Sequence, residues 1–184
     1  MSAETSKPSL YERLGGIYPI AAVVDDFVNR IMVAPRLNAN PRIDEAHHRV
    51  SKAGFKYLVT EMVGWATGGP QKFTGRSMAE AHKDLQITPD EWTAFLDDFH
   101  QTMQKFGVPA TEEAELVAII NSTRGDIVVE TLLYAGTGDP DFHEGASRAA
   151  GEMPRARFVS IPGISHDAGF ASSRTVMTAL GDFL

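Results

Sequence analysis

The sequence predicts a mainly helical domain followed by a small appendage of strands and helices. Over residues 9–128, apolar side chains recur at i, i+3, i+4 and i+7, the spacing of one helix face. Two capping boxes, Ser9-Leu-Tyr-Glu12 and Thr88-Pro-Asp-Glu91, mark helix starts. After about residue 129, short apolar runs alternate with helical segments, which is the pattern of a βαβα unit.

The first half of the helical region contains one short helix and two amphipathic helices. The short helix begins at Ser9 and ends at Gly15-Gly16. Amphipathic helices follow over residues 17–33 and 52–66, and the prolines and asparagines of residues 34–50 predict a loop between them. The side chains predicted to point inward are Ile20, Val23, Val24, Phe27 and Ile31 in the first helix, and Phe55, Leu58, Val59, Met62, Val63 and Ala66 in the second.

The second half contains a short helix with a histidine and two longer helices. Met78, Ala81, His82 and Leu85 share one face of the short helix. The Thr88 capping box then opens a helix that runs to about residue 106. The last helix of the set begins near Thr111-Glu-Glu and runs to about residue 128. The inward side chains are Trp92, Phe95, Leu96, Phe99 and Met103, then Leu116, Ile119, Ile120 and Ile127.

Composition excludes several classes of protein. The net charge of −7 and the absence of a basic run argue against a nucleic-acid partner. The chain has no cysteine, which excludes disulfides and cysteine-bound iron–sulfur clusters. Residues 1–8 are polar and predict a disordered N-terminus rather than a secretory signal. No apolar run reaches the roughly 18 residues that a membrane span requires, so we expect a cytoplasmic protein with no membrane partner.

His82 has two interpretations on the residues alone. A histidine on an apolar helix face is more often a core residue whose ring nitrogens are hydrogen-bonded. The alternative is a single axial ligand to a haem iron, which requires a neutral imidazole on an apolar wall. Periodicity does not choose between them, because apolar stripes are equally typical of an ordinary helical bundle.

Five short motifs lie around His82 in a distinctive order. They are Leu10–Gly16, Val24–Phe27, Trp65–Pro70, Phe73–Gly75 and Met78–Leu85. In this order and spacing, the chain over residues 9–128 resembles the group I truncated haemoglobins. The resemblance implies a two-over-two helical sandwich that encloses haem b, with His82 as the proximal ligand of the iron.

The resemblance also implies which residues surround the haem. Lys56 or Arg76 is a candidate partner for the haem propionates. On the distal side, the expected positions are Phe27, Val28, Phe55 and Val59. Many members of the family carry a tyrosine just after the phenylalanine that is Phe27 here, and a glutamine or other polar residue in the middle of the distal helix, at Val59 or one turn earlier at Phe55. The remaining candidate walls are Phe55, Leu58, Val59, Met62, Phe73, Met78, Ile87, Trp92 and Phe95.

An apolar distal side offers few hydrogen-bond donors to a dioxygen ligand. The sequence therefore predicts weaker hydrogen bonding to oxygen and faster release than in relatives with a distal tyrosine. Tyr57, His47 or His48 would restore polarity by pointing inward, and either histidine is an alternative sixth ligand of the iron.

Residues 129–184 resemble the C-terminal part of an α/β-hydrolase. Asp139 follows the first predicted strand and His166 follows the second, the order of the acid and base of a catalytic triad. The sequence contains no Gly-x-Ser-x-Gly nucleophile motif, so this fragment lacks the nucleophile that acyl transfer requires. We expect its two strands to pair and its apolar face to cover part of the helical domain.

The predicted function is reversible binding of dioxygen, carbon monoxide or nitric oxide through haem b. Transport, storage, sensing and nitric oxide detoxification remain open, as does a reductase partner. Catalysis is expected to be secondary at most, as nitric oxide dioxygenase or peroxidase activity. The alternatives are a helical adaptor without haem and a hydrolase-related protein with an inactive triad remnant. Oligomeric state is beyond the sequence.

Overall fold

A computed structural model describes residues 8–129, 131–153, 156–165 and 173–180 of the chain. The helices are α1 (Leu10–Arg13), α2 (Ile17–Ile31), α3 (Pro35–Asn38), α4 (Pro41–Arg49), α5 (Lys52–Ala66), α6 (Met78–His82), α7 (Pro89–Phe106), α8 (Ala110–Ser122), α9 (Arg124–Ile127), α10 (Pro140–Glu152) and α11 (Ser173–Leu180). The strands are β1 (Thr131–Gly136) and β2 (Ala156–Ile161). The predicted fold class, a mainly helical domain with a small strand-and-helix appendage, is confirmed.

Capping boxes begin three of the helices in the described part of the chain. The predicted boxes of Ser9 with Glu12 and of Thr88 with Glu91 are confirmed at the starts of α1 and α7. A third joins Ser77 to Glu80 and opens α6. In each box the hydroxyl accepts from a backbone N–H and the carboxylate accepts from the capping residue, which satisfies two donors that have no partner within the helix.

The prediction of a loop over residues 34–50 is wrong, because α3 and α4 occupy most of it. Pro35 and Pro41 begin these helices rather than interrupting them, since the first helical position needs no N–H donor. The side-chain oxygen of Asn40 accepts a hydrogen bond from the backbone N–H of Arg42 at 3.0 Å. Asn40 is therefore the N-cap of α4, and asparagine is one of the residues preferred at that position.

The core of the helical domain lies where α2 packs against α5 and α7. The ring of Phe27 on α2 contacts the rings of Phe95 and Phe99 on α7 edge to face, with centroids 5.2 and 5.6 Å apart. Met103 on α7 is 1% exposed, and Leu116 brings α8 into the same cluster. Side chains of the stripes predicted for α7 and α8 therefore share a core with Phe27 and Ile31 of α2, whereas Ile20 and Val24 of α2 belong to a second buried cluster.

The appendage is built from β1, α10, β2 and α11. The two strands pair in parallel, from Thr131 opposite Ala156 to Gly136 opposite Ile161, so the predicted strand pairing is confirmed. Helix α10 packs against both strands and α11 against β2. The covering of the helical domain by this appendage, and the boundary near residue 129, stay predictions. His166 lies outside the described residues.

No helix in the ranges that the structure describes combines the length and apolarity needed to cross a membrane.

Candidate functional site

His82 is the last residue of α6, where the helix geometry fixes the orientation of its ring. The ring nitrogen Nδ1 lies 2.8 Å from the backbone oxygen of Met78, one turn earlier. A carbonyl oxygen can only accept, so Nδ1 carries the proton and donates it. The other nitrogen, Nε2, then carries a free lone pair, which is the form of imidazole that binds a metal.

The ring of His82 is also held in its neutral form. Burial lowers the pKa of His82 below 6.5, the carbonyl of Met78 opposes that shift, and the positive charge of Arg76 lowers the pKa further. A proton therefore competes weakly for Nε2 near neutral pH. The chemistry of this nitrogen suits an axial ligand, and it equally suits a buried histidine whose ring is hydrogen-bonded.

The segment after α6 fixes the position of this short helix. Leu85 packs against the main core, and α6 contacts α9. Gln86 adopts a positive φ of 51°, which turns the chain so that Ile87 forms a parallel bridge with Val128. The backbone N–H of Val129 then donates to the oxygen of Ile87 at 2.8 Å. A five-residue helix has little intrinsic stability, and these contacts of α6 and of the segment that follows it hold the helix in place.

The predicted wall residues lie on α5, on the loop before α6, on α6 itself, on the segment between α6 and α7, and on α7. Trp92 is 6% exposed and stacks on Phe95, with ring centroids 5.6 Å apart. Leu58 was expected to point inward with its neighbours, but it is 37% exposed. The other predicted walls are partly buried: Phe55, Val59, Met62, Phe73, Met78 and Ile87.

The predicted distal residues lie in the interface between α2 and α5. Val28 is fully buried in a small cluster with Ile20 and Val24, and Val59 packs against that cluster. Phe27 is 8% exposed and Phe55 is partly buried against both clusters. All four side chains are apolar and offer no hydrogen-bond donor, so the surface that they form is apolar.

The three residues that were candidates to restore polarity have partners elsewhere. His47 Nδ1 lies 2.8 Å from the side-chain oxygen of Asn38, and His48 Nδ1 lies 2.8 Å from the backbone oxygen of Asp44. The hydroxyl of Tyr57 donates to Glu61 Oε1 at 3.1 Å. These contacts hold His47 against α3, His48 against the backbone of α4, and Tyr57 against Glu61 on α5.

Sequence reasoning missed Glu61, a carboxylate on α5 that is 9% exposed. Its Oε2 accepts from both the backbone N–H and the hydroxyl of Thr74, each at 2.7 Å. These hydrogen bonds lower the pKa of Glu61 below its usual value despite burial. A clue was available, because Glu61 follows Leu58 by three residues and so lies near the apolar stripe of the helix.

The two candidate propionate partners differ in their surroundings. Lys56 forms an ion pair with Asp25 on α2, so the structure directs its ammonium group towards that helix. Arg76 is exposed, and it lies close enough to His82 to influence the pKa of that ring. Of the two, Arg76 has the placement that a propionate next to the histidine requires.

The residues present fit a haem group. Haem is a largely apolar plate that needs apolar walls and one neutral nitrogen donor. The structure supplies that nitrogen at His82 Nε2, and it leaves Leu58 on α5 exposed although it belongs to an apolar stripe. The exposed guanidinium of Arg76 is a cation that would be available to a haem propionate. No feature of these residues conflicts with the group.

A helical domain with a neutral histidine at the end of a short helix and apolar side chains on α5 and α7 has the components of a globin. The bacterial-like globin family profile matches residues 9–129, and the chain belongs to this family. Haem with its iron is the cofactor of that class. The family confirms the resemblance drawn for the helical domain, whereas the hydrolase-like character of the appendage is not shown.

Similar proteins support this assignment over the same part of the chain. A group 1 truncated hemoglobin from Synechocystis sp. is 31% identical over 116 residues, which cover 60% of this chain and 88% of the relative. One from Tetrahymena thermophila is 24% identical over 120 residues, covering 65% and 94%.

Solved structures give the same fold. The 2/2 hemoglobin from Synechococcus sp., solved with covalently attached heme, has a TM-score of 0.57 and 27% identity, covering 67% of this chain and all of that one. The truncated hemoglobin from Tetrahymena pyriformis has a TM-score of 0.57 at 24% identity, covering 66% and 98%. The second likeness shows the fold alone.

Proposed function

We propose that this chain binds haem b and that His82 Nε2 is the proximal ligand of its iron. The observation that carries the proposal is the contact of His82 Nδ1 with the Met78 oxygen at 2.8 Å, which leaves Nε2 as the free nitrogen. Family membership over residues 9–129 supports the proposal, because haem is the cofactor of that class. The low pKa of His82 supports the same role.

We further propose reversible binding of a diatomic gas as the activity. When bound, haem iron supplies a coordination position open to dioxygen, carbon monoxide or nitric oxide. The Met78 carbonyl orients the imidazole, and the apolar side chains between α2 and α5 would keep water away from the bound gas. With Val28 and Val59 there, hydrogen bonding to the gas is weak, and we expect fast oxygen release in stopped-flow measurements.

The experiment that tests this proposal is an absorption spectrum of the purified protein supplied with haem. We expect a Soret band that the His82→Gly variant loses and that added imidazole restores in that variant. The matched control is His100→Gly, because His100 lies exposed on α7, with its ring against Glu113 of α8. A colourless wild-type protein that takes up no haem, or a band unaffected by His82→Gly, would contradict the proposal.

For the appendage, we propose a hydrolase-like fragment that does not catalyse acyl transfer. The proposal is supported by the parallel pairing of β1 with β2, which α10 connects, and by the position of Asp139 just before that helix. The sequence has no nucleophile motif to complete a triad. We expect no turnover of p-nitrophenyl acetate beyond that of an equal concentration of free imidazole. Turnover that His166→Ala abolishes would overturn this assignment.

A further inference from the structure

Glu61 is a buried carboxylate on α5, and one of its two oxygens accepts hydrogen bonds from outside that helix. Both Thr74 donors, the backbone N–H and the hydroxyl, reach Glu61 Oε2 at 2.7 Å, and they lie 13 residues further along the chain. The hydroxyl of Tyr57 occupies Oε1. The capping carboxylate of Glu12 accepts from Ser9, three positions earlier, so the contact of Glu61 with Thr74 is of a different kind.

Thr74 belongs to the loop that connects α5 to α6 and passes beside the predicted haem walls. Its neighbour Phe73 is one of those walls. The ring of Phe73 folds over Gly75, since a Cβ atom at Gly75 would lie 2.3 Å from the ring. Thr74 lies between Phe73 and Gly75 in the chain. Holding Thr74 in place therefore fixes the backbone of both residues, and with it the position of the packed ring.

The same loop is anchored to α5 at a second point. The side chain of Gln71 lies against Gly64, where a Cβ atom would be 2.6 Å from its Oε1, and against Gly69. Gln71 Nε2 donates to the hydroxyl of Tyr11 at 3.3 Å. The first contact is steric and the second is a long neutral hydrogen bond. The charge-assisted contact of Glu61 is thus the stronger of the polar anchors.

We propose that Glu61 is a positioning residue for haem: by holding Thr74 against α5 it fixes Phe73 against the haem and slows haem loss. This inference rests on the proposed haem function. The carboxylate would act through the loop, not by touching the haem. The expected consequence is that weakening the Glu61–Thr74 contact speeds the escape of haem without removing the proximal ligand.

The experiment measures the rate at which haem leaves the full-length protein for an excess of haem-free myoglobin. We expect Thr74→Val to lose haem about tenfold faster than wild type, since one hydrogen bond to a charged group is removed. Thr74→Ser keeps the hydroxyl and should retain the wild-type rate. Because Thr74 is exposed, neither substitution disturbs the core.

Two further variants complete the comparison. Glu61→Gln should also lose haem faster, and Glu12→Gln, which alters a carboxylate with the same kinds of donor on α1, should not. A wild-type rate for Thr74→Val, or equal acceleration in Thr74→Ser, would overturn the inference while leaving haem binding intact. Failure of the wild-type protein to take up haem would instead overturn the proposed function itself.

Discussion

The side-chain amide of Asn40 donates a hydrogen bond to the backbone oxygen of Leu85 at 3.0 Å, joining the start of α4 to the segment that follows His82. The same amide lies 3.3 Å from Glu91 Oε2, a member of the capping box of α7. Arg42 adds a hydrogen bond from its guanidinium to the oxygen of Asp84 at 3.2 Å. Helix α4, which lies in the segment predicted to be a loop, therefore holds the residues that follow His82 in place.

The first prediction concerns Asn40→Ala. The substitution removes the N-cap of α4 and two donated hydrogen bonds, so we expect the free energy of unfolding to fall by about 2 kcal/mol. Urea denaturation followed by circular dichroism measures the change. The control is Asn121→Ala, because Asn121 is exposed on α8 and should change stability by no more than about 0.5 kcal/mol. Equal effects of the two substitutions would refute the assigned role of Asn40.

The second prediction concerns Met103→Ala in the core. Met103 is 1% exposed and lies among the side chains that join α7 to its neighbours. Truncation leaves a cavity, and we expect a loss of about 3 kcal/mol in the free energy of unfolding. Met177→Ala is the matched control, since Met177 is 52% exposed. A loss below about 1 kcal/mol at Met103 would show that the site collapses around the smaller side chain or is less tightly packed than described.

Helices with a strong apolar period were predicted well from the sequence. The bounds of α5 agree with the prediction at both ends, and α7 begins and ends where its capping box and Gly107 indicate. These signals are local, because a cap or a repeat of 3.6 residues acts within one helix. The loop prediction for residues 34–50 failed because proline was interpreted as a breaker where it begins a helix.

Parts of the candidate site depend on contacts that the sequence does not reveal. The position of His82 was predictable from its motif, but its hydrogen-bond partner, the Met78 oxygen, was not named. The role of Glu61 requires knowing that the loop at Thr74 returns to α5. The contact of Glu61 with Thr74 arises from tertiary packing, which no local pattern in either segment encodes, whereas the contact of His82 with Met78 lies within one turn of α6.

The third prediction concerns Gly107, which ends α7 in the left-handed conformation with φ +62°. Among the described residues, no atom outside Gly107 and its two chain neighbours lies within 4 Å of the position that a Cβ would occupy, so Gly107→Ala tests backbone strain without a steric clash. We expect a loss of about 1 kcal/mol in the free energy of unfolding.

The control for Gly107 is Gly54→Ala within α5. A Cβ atom at Gly54 would make only ordinary contacts of 3.6 Å with Ser51, and its φ is not positive. Alanine is the better helix former, so Gly54→Ala should raise stability by up to about 1 kcal/mol. Opposite signs for the two glycine substitutions, measured by thermal or urea unfolding, are the expected result. The same sign for both would contradict the strain argument.

The fourth prediction concerns the pKa of His47 on α4. Burial lowers the pKa of His47 below 6.5, and the negative charge of Asp44 partly opposes that shift. The folded chain thus binds this proton less tightly than the unfolded chain. The contribution of His47 to stability is therefore constant above about pH 6.5 and declines as the pH falls below that value towards the folded pKa.

Titration of the His47 ring proton by NMR should give a midpoint below 6.5. Asp44→Asn should lower that midpoint further, because it removes the nearby negative charge that favours the protonated ring. The matched control is Glu45→Gln, since Glu45 is exposed on the same helix and lies beside Arg49 instead. If Asp44→Asn raised the midpoint, the carboxylate would not be acting on His47 through its charge. If His47 titrated at or above 6.5, its ring would be in water rather than against Asn38.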